Sequence, residues 1–226
     1  MVNRVVNTPP TKCLLGNIVR HTVKFSSSSL LSAFFRATAD LRRDLRRVWS
    51  HALLSSSLES KLDASVVVLG PPEVRGTARI HIGRNALLYP SLYLETEDIG
   101  SIDIGDGVVI SRGVHIVSRS GITIGNGTMI GEYTSIRDAD HARIPGLSIR
   151  GSGYEAQPIS IGNEVWIGRG VAILGGVTIG DGATVGANAV VTHDVQAGAT
   201  AVGVPARPVS VRQRIDLTDL PTIRKA

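Results

Sequence analysis

An aliphatic residue recurs at every sixth position from residue 161 to residue 191. The series is Ile161, Ile167, Ile173, Ile179, Val185 and Val191. The same six-residue spacing occurs earlier at Ile124, Ile130 and Ile136, at Ile104, Ile110 and Ile116, and more loosely at Ile82, Leu88 and Leu94. The fifth residue of each later hexad is also small or branched. A six-residue period matches neither an α-helical turn nor the simple alternation of a half-buried strand.

Such a period predicts a short strand, a turn and one inward aliphatic side chain in every hexad. Three hexads then form one triangular coil, and stacked coils align their inward side chains in a column and pair their strands. The composition agrees, because 25 glycines and only 4% aromatic residues suit a narrow interior of small and branched side chains. The sequence therefore predicts an all-β solenoid over residues 66–210.

The segments outside the repeat have a different character. We expect residues 1–29 to be irregular or disordered; their basic, serine-containing composition leaves an organellar transit peptide as a minor alternative. Residues 30–60 are predicted to form an amphipathic basic helix, and residues 211–226 a C-terminal tail. The favoured interpretation packs this helix on the end of the solenoid, with its basic face in solvent. The alternative is peripheral membrane contact through residues 30–56, on anionic lipid.

Charge and cysteine content exclude several classes of function. Residues 1–60 contain 9 Lys and Arg against 3 Asp and Glu, whereas the rest of the chain is nearly neutral, so the repeat offers no nucleic-acid face. Cys13 is the only cysteine, which rules out an intrachain disulfide and a cysteine-based metal site. No run of 18 apolar residues is present. We expect a cytoplasmic protein; a location at the inner membrane surface stays open.

The repeat loses its phase between Ile136 and Ile161. A stacked coil accommodates such an insertion only as a protruding loop, here near residues 137–160, and long loops on rigid scaffolds often carry function. This loop begins Asp138-Ala139-Asp140-His141 and later contains Tyr154. Histidine is well suited to general base chemistry because its pKa lies near working pH.

The hexads, with the closing segments 161–168 and 203–207, resemble the hexapeptide-repeat acyltransferases, in particular the branch that O-acetylates sugars and polysaccharides. The resemblance implies a left-handed parallel β-helix, acetyl-CoA as the acyl donor and no metal. It also implies a homotrimer with its active sites between subunits.

The resemblance makes His141 the general base, which removes the acceptor's hydroxyl proton while the oxygen attacks the acyl-CoA carbonyl directly. Residues that bind the acceptor or orient the histidine are then Asp138, Asp140, Tyr154 and Ser111. For the two aspartates, a purely turn-forming role is equally open. Ser111 stands near a position where sugar-specific relatives carry Asn, so a simple galactoside or maltose acceptor is not expected.

The resemblance also assigns contacts with coenzyme A. They are Trp166, Arg169, Gly186, Ala187, Thr192, His193 and Arg207. An oxyanion donor is expected at or near the backbone N–H of Arg169. Relatives usually carry Lys where this chain has His193, which weakens the expected phosphate contact there.

The predicted function is transfer of an acetyl group from acetyl-CoA to a hydroxyl of a saccharide or glycolipid. N-acetylation of an amino sugar stays open, because a histidine base serves amines as well as alcohols. Serine acetyltransferase ranks lower. Two alternatives of another class use the same fold: a zinc-dependent γ-type carbonic anhydrase, which needs three converging histidines, and a non-catalytic scaffold.

Overall fold

The computed structural model describes residues 28–209. Its contacts divide the chain into two compact units, Met1–Leu45 and Arg46–Ala226. The predictions for residues 1–29 and 211–226 therefore lie outside the described residues, apart from residues 28 and 29, which are already helical.

The predicted N-terminal helical segment is confirmed, as two helices. Helix α1 covers residues 28–37, and α2 covers Ala39–Ser56. Within the second unit, the α2 side chains of Ser50 and Leu54 are fully buried, whereas Val48 is 69% accessible. The packing of the helix on the end of the solenoid stays a prediction. No helix of the described chain is long and apolar enough to cross a membrane.

Short parallel strands form the three sides of a solenoid. Sheet A contains β1 (Val67–Val68), β4 (Leu87–Leu88), β7 (Val109–Ile110), β10 (Met129–Ile130), β15 (Trp166–Ile167), β18 (Thr184–Val185), β20 (Thr200–Val202) and β21 (Arg207–Val209). Sheet B contains β2 (Glu73–Gly76), β5 (Tyr93–Thr96), β8 (His115–Ser118), β11 (Ser135–Arg137), β16 (Ala172–Ile173) and β19 (Val190–Val191). Sheet C contains β3 (Ile80–Ile82), β6 (Ile102–Ile104), β9 (Ile122–Ile124), β14 (Ile159–Ile161) and β17 (Thr178–Ile179). Among the described strands of these three sheets, β21 alone pairs antiparallel, with β20.

The inward residues of the hexads form one continuous core. Every residue named in the six-residue series, including the looser set, is buried. Leu54 and Leu62 join this core before the first coil. The predicted all-β solenoid, beginning near Val66, is therefore confirmed.

The strand register locates the insertion. Ile167 pairs with Val185, 18 residues later, whereas Ile130 pairs with Ile167, 37 residues later. The additional residues leave the solenoid between β11 and β14, at the corner where sheet B gives way to sheet C. The predicted protruding loop is present there. It contains an antiparallel hairpin of β12 (Ala139–His141) and β13 (Tyr154–Ala156), with a 3₁₀ helix at Ile149–Gly151 between them.

Glycines permit the close approach of neighbouring coils. At Gly125 an added Cβ would lie only 2.6 Å from the backbone nitrogen of Asn163 in the next coil. At Gly121 an added Cβ would meet nothing within 4 Å. The two glycines precede and follow the same strand, β9, so they differ mainly in the space that the next coil leaves.

We expect Gly125→Ala to lower the free energy of unfolding by about 1–3 kcal/mol, because neither backbone can yield without breaking the ladder. Gly121→Ala is the matched control and should change stability by less than about 0.5 kcal/mol. Denaturant unfolding followed by circular dichroism measures both. Equal stability of the two variants would contradict the close-packed coil interface.

Candidate active site

The hairpin of residues 139–156, called here the His141 hairpin, is anchored at its root by Asp138. This carboxylate is fully buried, and both of its oxygens accept hydrogen bonds from the turn after β8. The donors are the Ser118 hydroxyl at 2.8 Å and the backbone N–H groups of Arg119 at 2.8 Å, Ser120 at 2.9 Å and Gly121 at 2.8 Å. With four donors bound, Asp138 anchors the hairpin; among the described residues it has no hydrogen bond with His141.

His141 lies at the end of β12, directly opposite Tyr154 on β13. The two ring centroids are 4.5 Å apart, with 31° between the ring planes. Both side chains are exposed, as is Asp140, which pairs with Glu155 across the hairpin. The structure therefore brings Tyr154 into contact with His141, and leaves Asp140 on the solvent side of the same strand.

Arg119 was not singled out in the sequence, yet it touches this pair. Its guanidinium lies 3.6 Å from the centre of the Tyr154 ring. The same guanidinium forms salt bridges with Glu97 and, at 2.7 Å, with Asp98. Aligning the coils could have found it, because Arg119 directly follows β8 at the corner where β11 leads into the hairpin.

A chain of acidic groups continues from Arg119 along sheet B. The Tyr93 hydroxyl donates to Glu95, and this hydrogen bond lowers the pKa of the Glu95 carboxyl below its ordinary value. The hydrogen bond between Glu95 and Glu97 raises the pKa of Glu97, against a smaller opposing effect of Arg119. Glu97 therefore takes up a proton at a higher pH than an ordinary glutamate.

A second feature is a groove of about 410 Å³ on sheet A and the corner that follows it. It brings together five residues that the sequence predicted for ligand contacts. They are Ser111, Trp166, Arg169, Gly186 and Ala187. Trp166 is 61% exposed, and Met129, which the sequence analysis did not select, is 51% exposed beside it. The groove thus offers large apolar side chains to solvent, which favours a bound ligand.

Three backbone N–H groups line this groove without a hydrogen-bond acceptor in the described part of the chain. They belong to Glu132, Arg169 and Ala187, each placed two residues after an inward aliphatic residue. Because their coils are stacked, these donors form a row along the groove. Such a row suits the carbonyl oxygens of an extended ligand or a developing oxyanion.

The remaining predicted ligand contacts lie elsewhere in the chain. Thr192 and His193 follow β19 at the corner between sheets B and C, and the Thr192 hydroxyl contacts His193 Nδ1 at 2.8 Å. Arg207 is on β21 and donates to the Ala206 carbonyl. The His141 hairpin leaves from the same corner as His193, so sheet B separates it from the groove within one chain.

The four histidines that a γ-type carbonic anhydrase site would draw on are spread over the described chain. His81 lies on sheet C, His115 on sheet B, His141 in the hairpin and His193 at the corner after β19. Within residues 28–209 no group of three or more His, Cys, Asp or Glu side chains is placed to hold a metal ion.

Comparison with known proteins identifies the repeat. The family model described as bacterial transferase hexapeptide (six repeats) matches residues 158–193. The candidate O-acetyl transferase of lipopolysaccharide biosynthesis WbbJ, from Escherichia coli strain K12, is 31% identical over 62% of this chain and 76% of its own length. The chain belongs to the hexapeptide-repeat acyltransferase family. Enzymes of this family take the acyl group from acyl-coenzyme A.

Two further similarities agree with this membership. Nodulation protein L of Rhizobium meliloti strain 1021 is 42% identical over 56% of this acyltransferase and 67% of its own length. The crystal structure of AntD, an N-acyltransferase from Bacillus cereus, in complex with dTDP and 3-hydroxybutyryl-CoA has a TM-score of 0.58 and 21% identity. That match covers 68% of this chain and 83% of AntD. The predicted left-handed parallel β-helix of this family is therefore confirmed.

We expect Asp138→Ala to loosen the His141 hairpin, because three backbone N–H groups lose their acceptor at a cost of about 1–3 kcal/mol each. Trypsin should then cut faster after the exposed residues Arg143 and Arg150. Asp140→Ala, which removes an exposed carboxylate two residues away, is the control and should leave the cleavage rate unchanged. Equal rates for Asp138→Ala and the wild type would contradict the anchoring role.

Proposed function

We propose that this acyltransferase moves an acetyl group from acetyl-CoA to a hydroxyl of a saccharide or glycoconjugate, with His141 as the general base. The observation that carries the proposal is the placement of His141. It is an exposed imidazole on a hairpin that a buried carboxylate fixes to the solenoid, at the longest interruption between the described coils. A general base requires a fixed position and an accessible ring nitrogen.

The proposed reaction has no covalent enzyme intermediate. His141 removes the acceptor's hydroxyl proton while the oxygen attacks the acetyl carbonyl carbon. The tetrahedral oxyanion accepts a hydrogen bond from a backbone N–H, for which that of Arg169 is the candidate. The carbon–sulfur bond then breaks, and the thiolate of coenzyme A recovers the proton from His141. Atoms and charges balance without a metal or a redox partner.

The groove on sheet A is the proposed acetyl-CoA site. The free N–H row of Glu132, Arg169 and Ala187 fits the amide carbonyls of the pantetheine arm. Trp166 supplies an exposed apolar surface beside it, and the Arg169 guanidinium supplies a cation for the phosphates. His193 and Arg207 stay predicted phosphate contacts, because both are exposed and near a coil corner or end.

The separation of His141 from the groove supports an assembly in which neighbouring subunits complete each site. One chain places the hairpin at one corner of the prism and the groove on another side, so a ligand in the groove does not reach its own hairpin without crossing sheet B. A threefold arrangement brings the hairpin of one copy to the groove of the next. We therefore propose a homotrimer with three shared sites.

The saccharide class of the acceptor is supported by the relative WbbJ, whose name places it in lipopolysaccharide biosynthesis. Asp140, Tyr154 and Ser111 stay the predicted acceptor-side residues. Peripheral membrane contact through residues 30–56 also stays a prediction, supported by the exposed apolar side chains of α1 and α2.

We expect His141→Ala to lower kcat by about 100- to 10,000-fold, because the acceptor then loses its base. The assay follows free thiol released from acetyl-CoA with a panel of sugars, amino sugars and polysaccharides. His81→Ala, which removes an exposed histidine from sheet C, is the control and should be as active as the wild type. Unchanged thiol release by His141→Ala would overturn the mechanism, and turnover with amino sugars alone would redirect it to N-acetylation.

Shared sites predict complementation between two inactive variants. His141→Ala lacks the base, and Trp166→Ala/Arg169→Glu disrupts the groove. Co-expressed with different tags and purified as mixed trimers, they should recover about a third of the wild-type activity, because each mixed trimer has one intact site in three. Trimers of either variant alone are the control. Absence of recovery in mixed trimers would show that one chain supplies the whole site.

A further inference from the structure

The guanidinium of Arg119 lies against the His141 hairpin, and the proposed chemistry does not use it. Its carbon Cζ is 3.6 Å from the centre of the Tyr154 ring, the separation of a cation stacked on an aromatic face. The imidazole of His141 lies 4.5 Å from the same centre, at 31° to the ring. Arg119 and His141 therefore both pack against the ring of Tyr154.

Arg119 is itself held firmly by the solenoid. Its side chain is only 17% exposed, and its guanidinium is bound by Glu97 and Asp98 from the preceding coil. Its backbone N–H donates to the buried Asp138 carboxylate at the root of the hairpin. One residue thus touches the hairpin at two points, with its backbone at the root and its side chain at the ring opposite the histidine.

The hairpin needs such support. It consists of two strands of three residues each, joined to no further strand, and paired ribbons of that size have little stability of their own. Five of its six strand residues are exposed. A general base must nevertheless stay within hydrogen-bond reach of the acceptor, and a misplacement of about 1 Å can cost about 100-fold in rate.

We propose that Arg119 is a positioning residue for catalysis: it fixes the Tyr154 ring, and the ring fixes the plane of the His141 imidazole. This inference rests on the proposed function, because it presupposes that His141 is the base. Arg119 contacts no reacting atom in this arrangement. The contribution of Tyr154 to this positioning comes from its ring, since both neighbours contact the ring.

The test compares side-chain variants that leave the backbone of the hairpin root unchanged. Arg119→Met keeps the length of the side chain and the N–H bond to Asp138, but removes the charge. We expect kcat to fall about 10- to 100-fold, with the KM for acetyl-CoA within about twofold of the wild type. Tyr154→Leu should behave alike, and Arg119→Lys should recover part of the loss.

Arg79→Met is the matched control. The Arg79 guanidinium also binds Asp98, by donating to the main-chain carbonyl of Asp98 at 2.8 Å, but it does not touch Tyr154 in the described structure. The variant should leave kcat unchanged. Thiol release from acetyl-CoA is followed with the saccharide panel, and with water as acceptor when no saccharide is added. Tryptic cleavage after Arg143 and Arg150 reports whether each variant keeps the hairpin folded. If Tyr154→Leu loosens the hairpin, Arg119→Met and Arg119→Lys still decide the outcome.

The same substitutions in a His141→Ala background separate this inference from the proposed function. A residue that acts only through His141 should change the small residual rate of His141→Ala by less than about twofold. A further loss as large as in the wild-type background would mean that Arg119 acts on the acceptor or on folding, and would overturn the positioning role. Wild-type kcat in both Arg119→Met and Tyr154→Leu would overturn it too, while His141 remains the base. Full activity of His141→Ala would instead overturn the proposed function.

Discussion

Each coil of this solenoid buries its inward side chains only against the coils above and below it. Parallel strands repeat at about 4.8 Å, so an inward Ile or Val meets its counterpart in the next coil at contact distance. The same spacing leaves no room for a Cβ at corners such as Gly125, where the next backbone lies 2.6 Å from its place. The aliphatic columns and the glycine corners therefore both follow from the short spacing between coils. A chain that meets this requirement has flat, rigid sides that can support an inserted loop.

The insertion at residues 137–160 exploits that rigidity. It leaves the repeat between β11 and β14, and the coils resume their register beyond it, so the core is not interrupted. The inserted residues lack a core of their own. Their order comes from the buried Asp138 at the root and from Arg119 at the ring of Tyr154, both of which depend on the solenoid. A flexible loop would bring a histidine near a substrate, whereas the role that we propose for Arg119 and Tyr154 is to hold the imidazole of His141 in one orientation.

The groove and the hairpin use different properties of the same coil. In the groove the repeat itself supplies a row of N–H groups that have no acceptor among the described residues, since every coil presents its corner in the same way. Chemistry requires something that breaks the repeat, because identical corners offer no single acid or base. In the trimer that we propose, the groove and the hairpin lie on different sides of each chain, so that each chain contributes to two sites.

The sequence by itself determined the period, the inward residues, the place of the interruption and the identity of its histidine. These follow from residue type and spacing alone, because an inward position admits only apolar side chains and a lost phase marks an insertion. Tertiary structure alone decided which side chains contact one another around the histidine. Asp138 is a buried anchor and not an exposed loop carboxylate, Tyr154 faces the histidine, and Arg119 joins them across coils. Those contacts join residues that are 13 to 35 positions apart through a corner and a hairpin. No local spacing encodes them, because the fold of the insertion depends on the surface beneath it.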